Sequence, residues 1–428
     1  MSVSVASTSA GNRRYGIFAL LLTMSLINYF DRAVLSIAMP VLIQAFSLTP
    51  VAVGYLLSAF IWSYAPLQFP AGVMLDRWGT RRTAAGALAL WSLATILTGF
   101  AFNFASLFLT RLALGVGESP TFPLIARAIR EWAPVRERSL AFAITGSGGL
   151  LGTAFSSVII AWLLGVVGWR ASFFISGGMG LVWVAVWLAF FRDPKDARWL
   201  SQGERQMILE QRAPGGTEDT YAMPLRELLS YRTMWGLFLV QGLCNYANYM
   251  LLTWLPTYLV RSRGLNIMHS GVQTAVVYGG AVVLMLLFGR ICDRALTPAA
   301  VKAGKRRYAV SIFALGAAVV MLAPVTQSET LLLVELMVSV ACTNTVFACN
   351  YSLTNDLLHA GRSIGSAIGF IQLGGNLLGL SAPIATGYMV EATGSFASAF
   401  LLSGFLLCLG ALVALTATRK PVGKAAAT

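Results

Sequence analysis

The sequence predicts an all-α membrane protein, with twelve transmembrane helices in two pseudo-symmetric six-helix bundles, and three observations carry that prediction. First, the 428 residues are 57% hydrophobic and 11% charged, against roughly 45–50% and about 25% in soluble domains. Second, apolar stretches long enough to cross a bilayer, about 20 residues each, recur twelve times. Third, one loop motif appears at equivalent places in two six-stretch halves. A soluble chain of this length would form roughly three domains, and 31 basic and 17 acidic side chains cannot cover that much surface. Soluble enzymes, nucleic-acid binders and disulfide scaffolds are disfavoured on that ground.

In chain order the expected spans lie near 15–46, 51–74, 83–102, 105–130, 139–164 and 169–191, then 233–260, 270–289, 308–326, 331–353, 364–389 and 395–417. The first follows a polar segment ending in Arg13-Arg14. It is about twice as long as a signal h-region and no small-residue cleavage site follows, so it is expected to be retained. The long polar interval 192–232 is expected to be a cytoplasmic linker between residues 1–191 and 233–428. Within it, Ser201-Gln-Gly-Glu204 has capping-box spacing, which starts a short amphipathic helix. Ala213-Pro-Gly-Gly then breaks the chain before a second short helix around Leu225–Leu229.

Orientation follows from the basic residues, which accumulate on the cytoplasmic side. With both termini cytoplasmic, 26 of the 31 Lys and Arg fall in tails, in even-to-odd loops or at the adjoining end of span four (Arg127, Arg130), three (Arg170, Arg261, Arg263) fall outside, and Arg32 and Arg111 lie deep within spans. Topology thus accounts for the net charge of +14 without an acidic partner or nucleic acid. The five cysteines (Cys244, Cys292, Cys342, Cys349, Cys408) lack CxxC spacing and read as small core hydrophobes. His269 and His359 have no cysteine near them, so no metal is expected. No phosphate-cradling G-x-x-x-x-G-K occurs, so neither ATP nor another cofactor is expected.

The loop after span two reads Gly72-x-x-x-Asp76-Arg77-x-Gly79-x-Arg81-Arg82. After span eight the pattern returns as Gly289-x-x-x-Asp293-Arg294, with Lys305-Arg306-Arg307 displaced by an insertion. Internal duplication of this kind marks transporters whose ligand site lies at the midplane between the repeats. On this motif the sequence resembles the major facilitator superfamily. Within it, the anion:cation symporter family is similar at Asn28-Tyr29-x-Asp31-Arg32, at Arg111-x-x-x-Gly115-x-Gly117-Glu118-x-Pro120, and at Gly168-Trp169-Arg170. Phe191-Arg192-Asp193-Pro194 and Trp254-x-Pro256-x-Tyr258 extend the likeness over nearly the whole chain. The resemblance implies a monomeric plasma-membrane (bacterial inner-membrane) transporter that imports organic anions, often sugar acids, with protons.

Asp31, Arg32, Arg111 and Glu118 stand deep in apolar spans. Ionisable groups there are costly and mark substrate or proton routes, although a structural ion-pair cluster is the alternative. Arginine forks around a carboxylate and stays charged. That suits Arg32 as the anchor of a small carboxylate substrate, with Arg111 either a second anchor or a partner for an acid of its own bundle. Asp31 and Glu118 are the expected proton carriers. Glu118 has no base adjacent in sequence, so desolvation is expected to govern it, whereas Asp31 neighbours Arg32.

Tyr29, three before Arg32 and on nearly the same helix face, joins Tyr64, Gln241 and Asn376 as candidate substrate contacts. The resemblance supports these four positions, and an inter-helix hydrogen bond is the alternative for each. Asn245, Tyr249, Tyr278, Tyr351 and Thr354 are weaker candidates for the C-terminal wall. The family often has tryptophan and serine near Tyr351 and Asn355, so no particular sugar acid is assigned. The resemblance also implies gating by Asp76, Arg77, Asp293 and Arg294, with Glu131, Arg136 and Arg138 as partners for the first loop.

Gly361-Arg362-Ser363-Ile364-Gly365 fits the serine-hydrolase elbow, but that elbow needs a strand and a His–acid pair, so no enzyme is expected. Glu335, one turn into span ten, is expected to be structural, and Glu391 is expected at a loop. Two alternatives to a proton-coupled importer stay open: an organic-anion exporter or exchanger, and a non-transporting sensor on the same fold. Span five lacks the Gly-Pro of exchangers, and the short tails leave no signalling domain.

Overall fold

The computed structural model describes residues 12–134, 137–210, 223–358 and 363–423. Arg136, the break at 213–216, Gly361 and Arg362 lie outside the described residues. The described chain is helical, and one isolated bridge, Leu358 to Val422, is its only extended pairing.

Span one is α1 (Tyr15–Phe46). The run Pro50–Gly99 holds spans two and three, α2 (50–78) and α3 (80–99), which join at Gly79 with φ 74° and ψ 166°. An L side chain rarely adopts that φ, which explains the glycine in the loop motif. Span four is divided into α4 (Phe104–Glu118) and α5 (Thr121–Trp132) around Pro120. Spans five and six are α6 (Arg138–Val166) and α7 (Gly168–Phe190). Two short linker helices follow, α8 (Gln202–Glu210) and α9 (Leu225–Leu228).

The second half repeats the order: α10 (Arg232–Arg263), α11 (Ile267–Ala295), the short α12 (Pro298–Lys302), α13 (Arg306–Ala317), α14 (Glu329–Leu357), α15 (Ile364–Thr393) and α16 (Ala397–Ala417). Span nine is a shorter α-helix than expected, because Ala318–Leu322 winds into a 3₁₀ turn. Among the described residues, eight helical segments are long and apolar enough to cross a membrane, by length and composition alone. Span four falls short of that measure because its helix breaks near Pro120 into pieces of 15 and 12 residues.

The N-terminal end, the linker and the C-terminal end gather on one face, here called the linker face. Arg14 is 5% exposed there. Its Nε and Nη2 donate to both carboxylate oxygens of Glu137 at 2.8 and 2.7 Å, and Nη1 donates to Glu204 at 3.1 Å. Trp199 stacks on Trp132 with centroids 5.2 Å apart. These contacts fasten α8 to the first half, while the Met223 N–H donates to Ser363 Oγ in the second half at 2.8 Å.

The Arg14 guanidinium holds the Glu137 carboxyl below its ordinary value of 4.5. A depressed carboxylate contributes stability above its unfolded pKa and loses it as pH falls through the folded one. Glu137→Gln is therefore expected to lower the melting temperature of the detergent-solubilised protein by a degree or two at pH 7, from about 1 kcal/mol for a well-formed pair. The gap from wild type should close as the buffer is taken below pH ~4. A constant gap across that range would mean that the pair does not stabilise the fold.

At the opposite face the halves touch backbone to backbone. A Cβ on Gly54 of α2 would lie 2.6 Å from the Pro383 carbonyl oxygen of α15, and one on Gly387 2.5 Å from the Pro50 carbonyl oxygen. One on Gly271 of α11 would meet the Ser157 carbonyl oxygen of α6 at 2.6 Å. Glu391 accepts the Val51 N–H at 3.0 Å beside them. Small residues permit such approach between membrane helices. Gly54→Val is expected to hold this face open, raising thiol-reagent labelling of a cysteine placed at Tyr55 several-fold and slowing transport. Unchanged labelling would show that the contact is not a seal.

Candidate functional site

Packing brings the four buried charges together in the first half. Gly115 and Gly117 draw α4 inward: a Cβ on Gly115 would overlap the Phe60 carbonyl of α2, and one on Gly117 would lie 2.7 Å from the Trp91 nitrogen of α3. Glu118, at the end of α4, is thereby carried into the interior with no exposure. There Arg32 Nε donates to Glu118 Oε2 at 2.7 Å. The base that the neighbouring sequence lacks thus comes from another helix, 86 positions earlier in the chain.

The Arg32 guanidinium is also ringed by aromatic faces, 5.3 Å from Tyr29, 4.7 Å from Phe60 and 5.0 Å from Tyr64. Such faces attract a cation and keep water from it. One edge remains unused, because Arg32 Nη2 is buried without a hydrogen-bond partner.

Asp31, the next residue, turns away from Arg32 toward α3 and α4. It is fully buried, its electrostatic neighbours are Glu118 and Arg111, and Thr95 and Trp91 face it. Neither carboxylate oxygen reaches hydrogen-bond geometry, and Thr95 Oγ1 and Trp91 Nε1 are equally unpartnered. Arg111, 2% exposed, donates from Nη2 to Thr98 Oγ1 at 2.7 Å and lies 5.6 Å from the Phe173 ring. Arg111 therefore faces an acid of its own bundle, and with Arg32 it also lines a small cavity of ≈20 Å³ bounded by Tyr249 and Leu252 of α10.

Of the remaining candidates, Tyr29 and Tyr64 gather at Arg32, whereas Gln241 and Asn376 belong to a separate polar seam. Gln241 donates to Tyr351 Oη at 3.0 Å and accepts from Asn350 at 3.0 Å, and Tyr351 donates to Gln372 at 2.6 Å. Asn376 reaches across the halves to Gln68 of α2 at 3.5 Å. Asn245 is tied to the Gly375 carbonyl at 2.7 Å. The sequence reading passed over Gln68, one turn after Tyr64, and Asn248, two turns after Gln241. Helical spacing from residues already singled out would have found both.

A second cavity of ≈130 Å³ opens between the halves, lined by Tyr29, Ser147, Thr153, Asn248, Tyr278 and Asn344 among others. Among the described residues no cluster of His, Cys, Asp or Glu has a metal-binding arrangement. The four gating candidates lie on the linker face. Asp76, 82% exposed, pairs with Arg127 at 2.9 Å, and Arg127 also pairs with Glu131 at 2.9 Å. Arg127 thus links Asp76 of the first loop to Glu131. Arg77, Asp293 and Arg294 are exposed, with no ion pair among the described residues. Glu335 is buried and accepts from Thr326 Oγ1 at 2.9 Å.

Two six-helix bundles with charges and cavities at their junction define a multi-pass membrane transport protein. Comparison with known proteins supplies the family: residues 21–365 match the Major Facilitator Superfamily, and the chain belongs to it. It is accordingly a transporter and not an enzyme. It is 32% identical over 412 residues to a probable sulfoacetate transporter of Cupriavidus necator, covering 94% of this chain and 93% of that one. It is 30% identical over 423 residues to a D-galactonate transporter of Escherichia coli, covering 96% and 97%. Among solved structures, a bacterial homologue of the human lysosomal transporter Spinster, inward-facing and occupied, aligns with a TM-score of 0.74 at 18% identity over 96% of each chain. That likeness concerns the fold alone.

Proposed function

We propose that this protein imports a small organic carboxylate, a sugar acid, together with protons by alternating access. The observation that carries the reading is Arg32, caged by three aromatic rings at the junction of the halves, paired through Nε with Glu118 and carrying a free, buried Nη2. A substrate carboxylate accepts from that free edge, and Glu118 is released from its partner to exchange a proton. Asp31, facing Arg111 and Glu118, is the second proton carrier. Residues 1–191 and 233–428 rock as units about the site, joined by the linker 192–232. Asp76, Arg77, Asp293 and Arg294 gate the linker face.

The names of the relatives support an anionic substrate. The basic loops support a cytoplasmic linker face with both termini in the cytoplasm, in the plasma membrane, and the protein acts as a monomer. The test is uptake of D-galactonate, galactarate and sulfoacetate by proteoliposomes, with and without an imposed pH gradient. Accumulation of at least one acid, dependent on an acidic exterior, is the expected result. Equal uptake with and without the gradient would remove proton coupling, and no uptake of any acid would remove the substrate class.

A further inference from the structure

We infer that the ≈130 Å³ cavity beside Tyr29 is a second subsite of the transport site, and that it takes the hydroxylated, uncharged end of a substrate with a single carboxylate. The inference rests on the reading of Arg32 as the carboxylate anchor and adds what is recognised at the far end.

Three observations support it. The cavity adjoins the Arg32 site: the Tyr29 ring that forms one wall lies 5.3 Å from the Arg32 guanidinium, and Leu252 borders both cavities. Its lining mixes hydroxyl and amide side chains with apolar ones and carries no Lys, Arg, Asp or Glu. Part of its hydrogen-bonding capacity is also unspent. Tyr278 is 2% exposed and its hydroxyl has no partner. Leaving such a group unsatisfied is costly, and a ligand hydroxyl would recover that cost. Asn344 donates its nitrogen to the Val340 carbonyl at 2.9 Å, which leaves its oxygen for a ligand. Ser147 and Thr153 donate to the Ile144 and Gly149 carbonyls, at 2.7 and 3.0 Å, so each keeps an oxygen able to accept. The Asn248 amide completes the wall.

Chemistry then sets the class of ligand. Each ligand hydroxyl both donates and accepts, which suits a wall of phenol, amide and alcohol groups. A second carboxylate or a sulfonate would be buried there without a cation, and burying an unpaired charge is far costlier than burying a hydroxyl. The subsite therefore selects polyhydroxylated monocarboxylates over diacids of the same chain length, and over sulfonated acids. A site built to hydrogen-bond a hydroxyl also rejects analogues that lack it.

The experiment is thermal stabilisation of the purified full-length protein in detergent by four probes: D-galactonate, 5,6-dideoxy-D-galactonate, galactarate and sulfoacetate. D-galactonate is expected to bind at least ten-fold more tightly than the other three. Tyr278→Phe, which keeps the ring and removes only the orphaned hydroxyl, and Asn344→Leu should each shrink the galactonate-to-dideoxy ratio at least five-fold. Galactarate or sulfoacetate binding as tightly as galactonate, or an unchanged ratio in both variants, would overturn the subsite. If those results came with binding abolished by Arg32→Ala, only the subsite would fall. If none of the probes bound, or binding survived Arg32→Ala, the carboxylate anchor would fall with it.

Discussion

Arg32→Ala is expected to reduce carboxylate uptake at least ~100-fold while leaving a folded, monodisperse protein. Removing one partner of a buried charge pair costs about 3–5 kcal/mol, and the substrate would lose its forked donor as well. Arg32→Lys keeps the charge but not the second donor edge, and its compact ammonium would not spread among the rings of Tyr29, Phe60 and Tyr64 as the planar guanidinium does. A loss of ten-fold or more is expected for lysine. Initial uptake rates across a substrate series give the measurement, with size-exclusion profiles as the check on folding. Wild-type rates in the alanine variant would mean that the caged guanidinium is structural, which is the ion-pair alternative.

Glu118→Gln should separate transport from its driving force. The amide cannot exchange a proton with the medium, yet it has nearly the shape of the carboxyl and fits the same buried place at the end of α4. One pH unit corresponds to about 1.4 kcal/mol per coupled proton. An imposed gradient of ~2 units thus supports roughly 100-fold accumulation for one proton per substrate. In the variant, accumulation should fall to equilibration, while exchange of internal for external substrate persists. Undiminished accumulation would assign coupling elsewhere, with Asp31 the next residue to neutralise.

The two predictions differ in how far each was legible in the sequence. Twelve apolar stretches and their duplicated loop gave the architecture, because span length and charge exclusion are set by the bilayer and act locally along the chain. Asp31, Arg32, Arg111 and Glu118 were equally visible, since a charge inside an apolar run is conspicuous wherever it points. Their pairing was not. The bond from Arg32 to Glu118 depends on how closely α4 packs on its neighbours. Gly115 and Gly117 hinted at that closeness without stating the partner. Gln241 illustrates the same limit: its residue type suggested a ligand contact, and the structure adds that its amide already makes one bond at each end, to Tyr351 and from Asn350. Whether a buried amide is spent or free is a property of its neighbours, which spacing along one helix cannot report.

The glycine contacts at the face opposite the linker have an entropic consequence. Where Gly54 meets Pro383, and Gly387 meets Pro50, the touching atoms belong largely to backbone already fixed by helix geometry. Joining such surfaces freezes few rotamers, whereas each long side chain trapped at an interface forfeits about 1–2 kcal/mol of conformational freedom. In the proposed rocking cycle the closed and parted forms would then differ by little in chain entropy. A small gap lets modest differences in ligand affinity between two states decide which is populated. The plainest residue in the chain, by contributing no side chain, leaves that decision to the cargo.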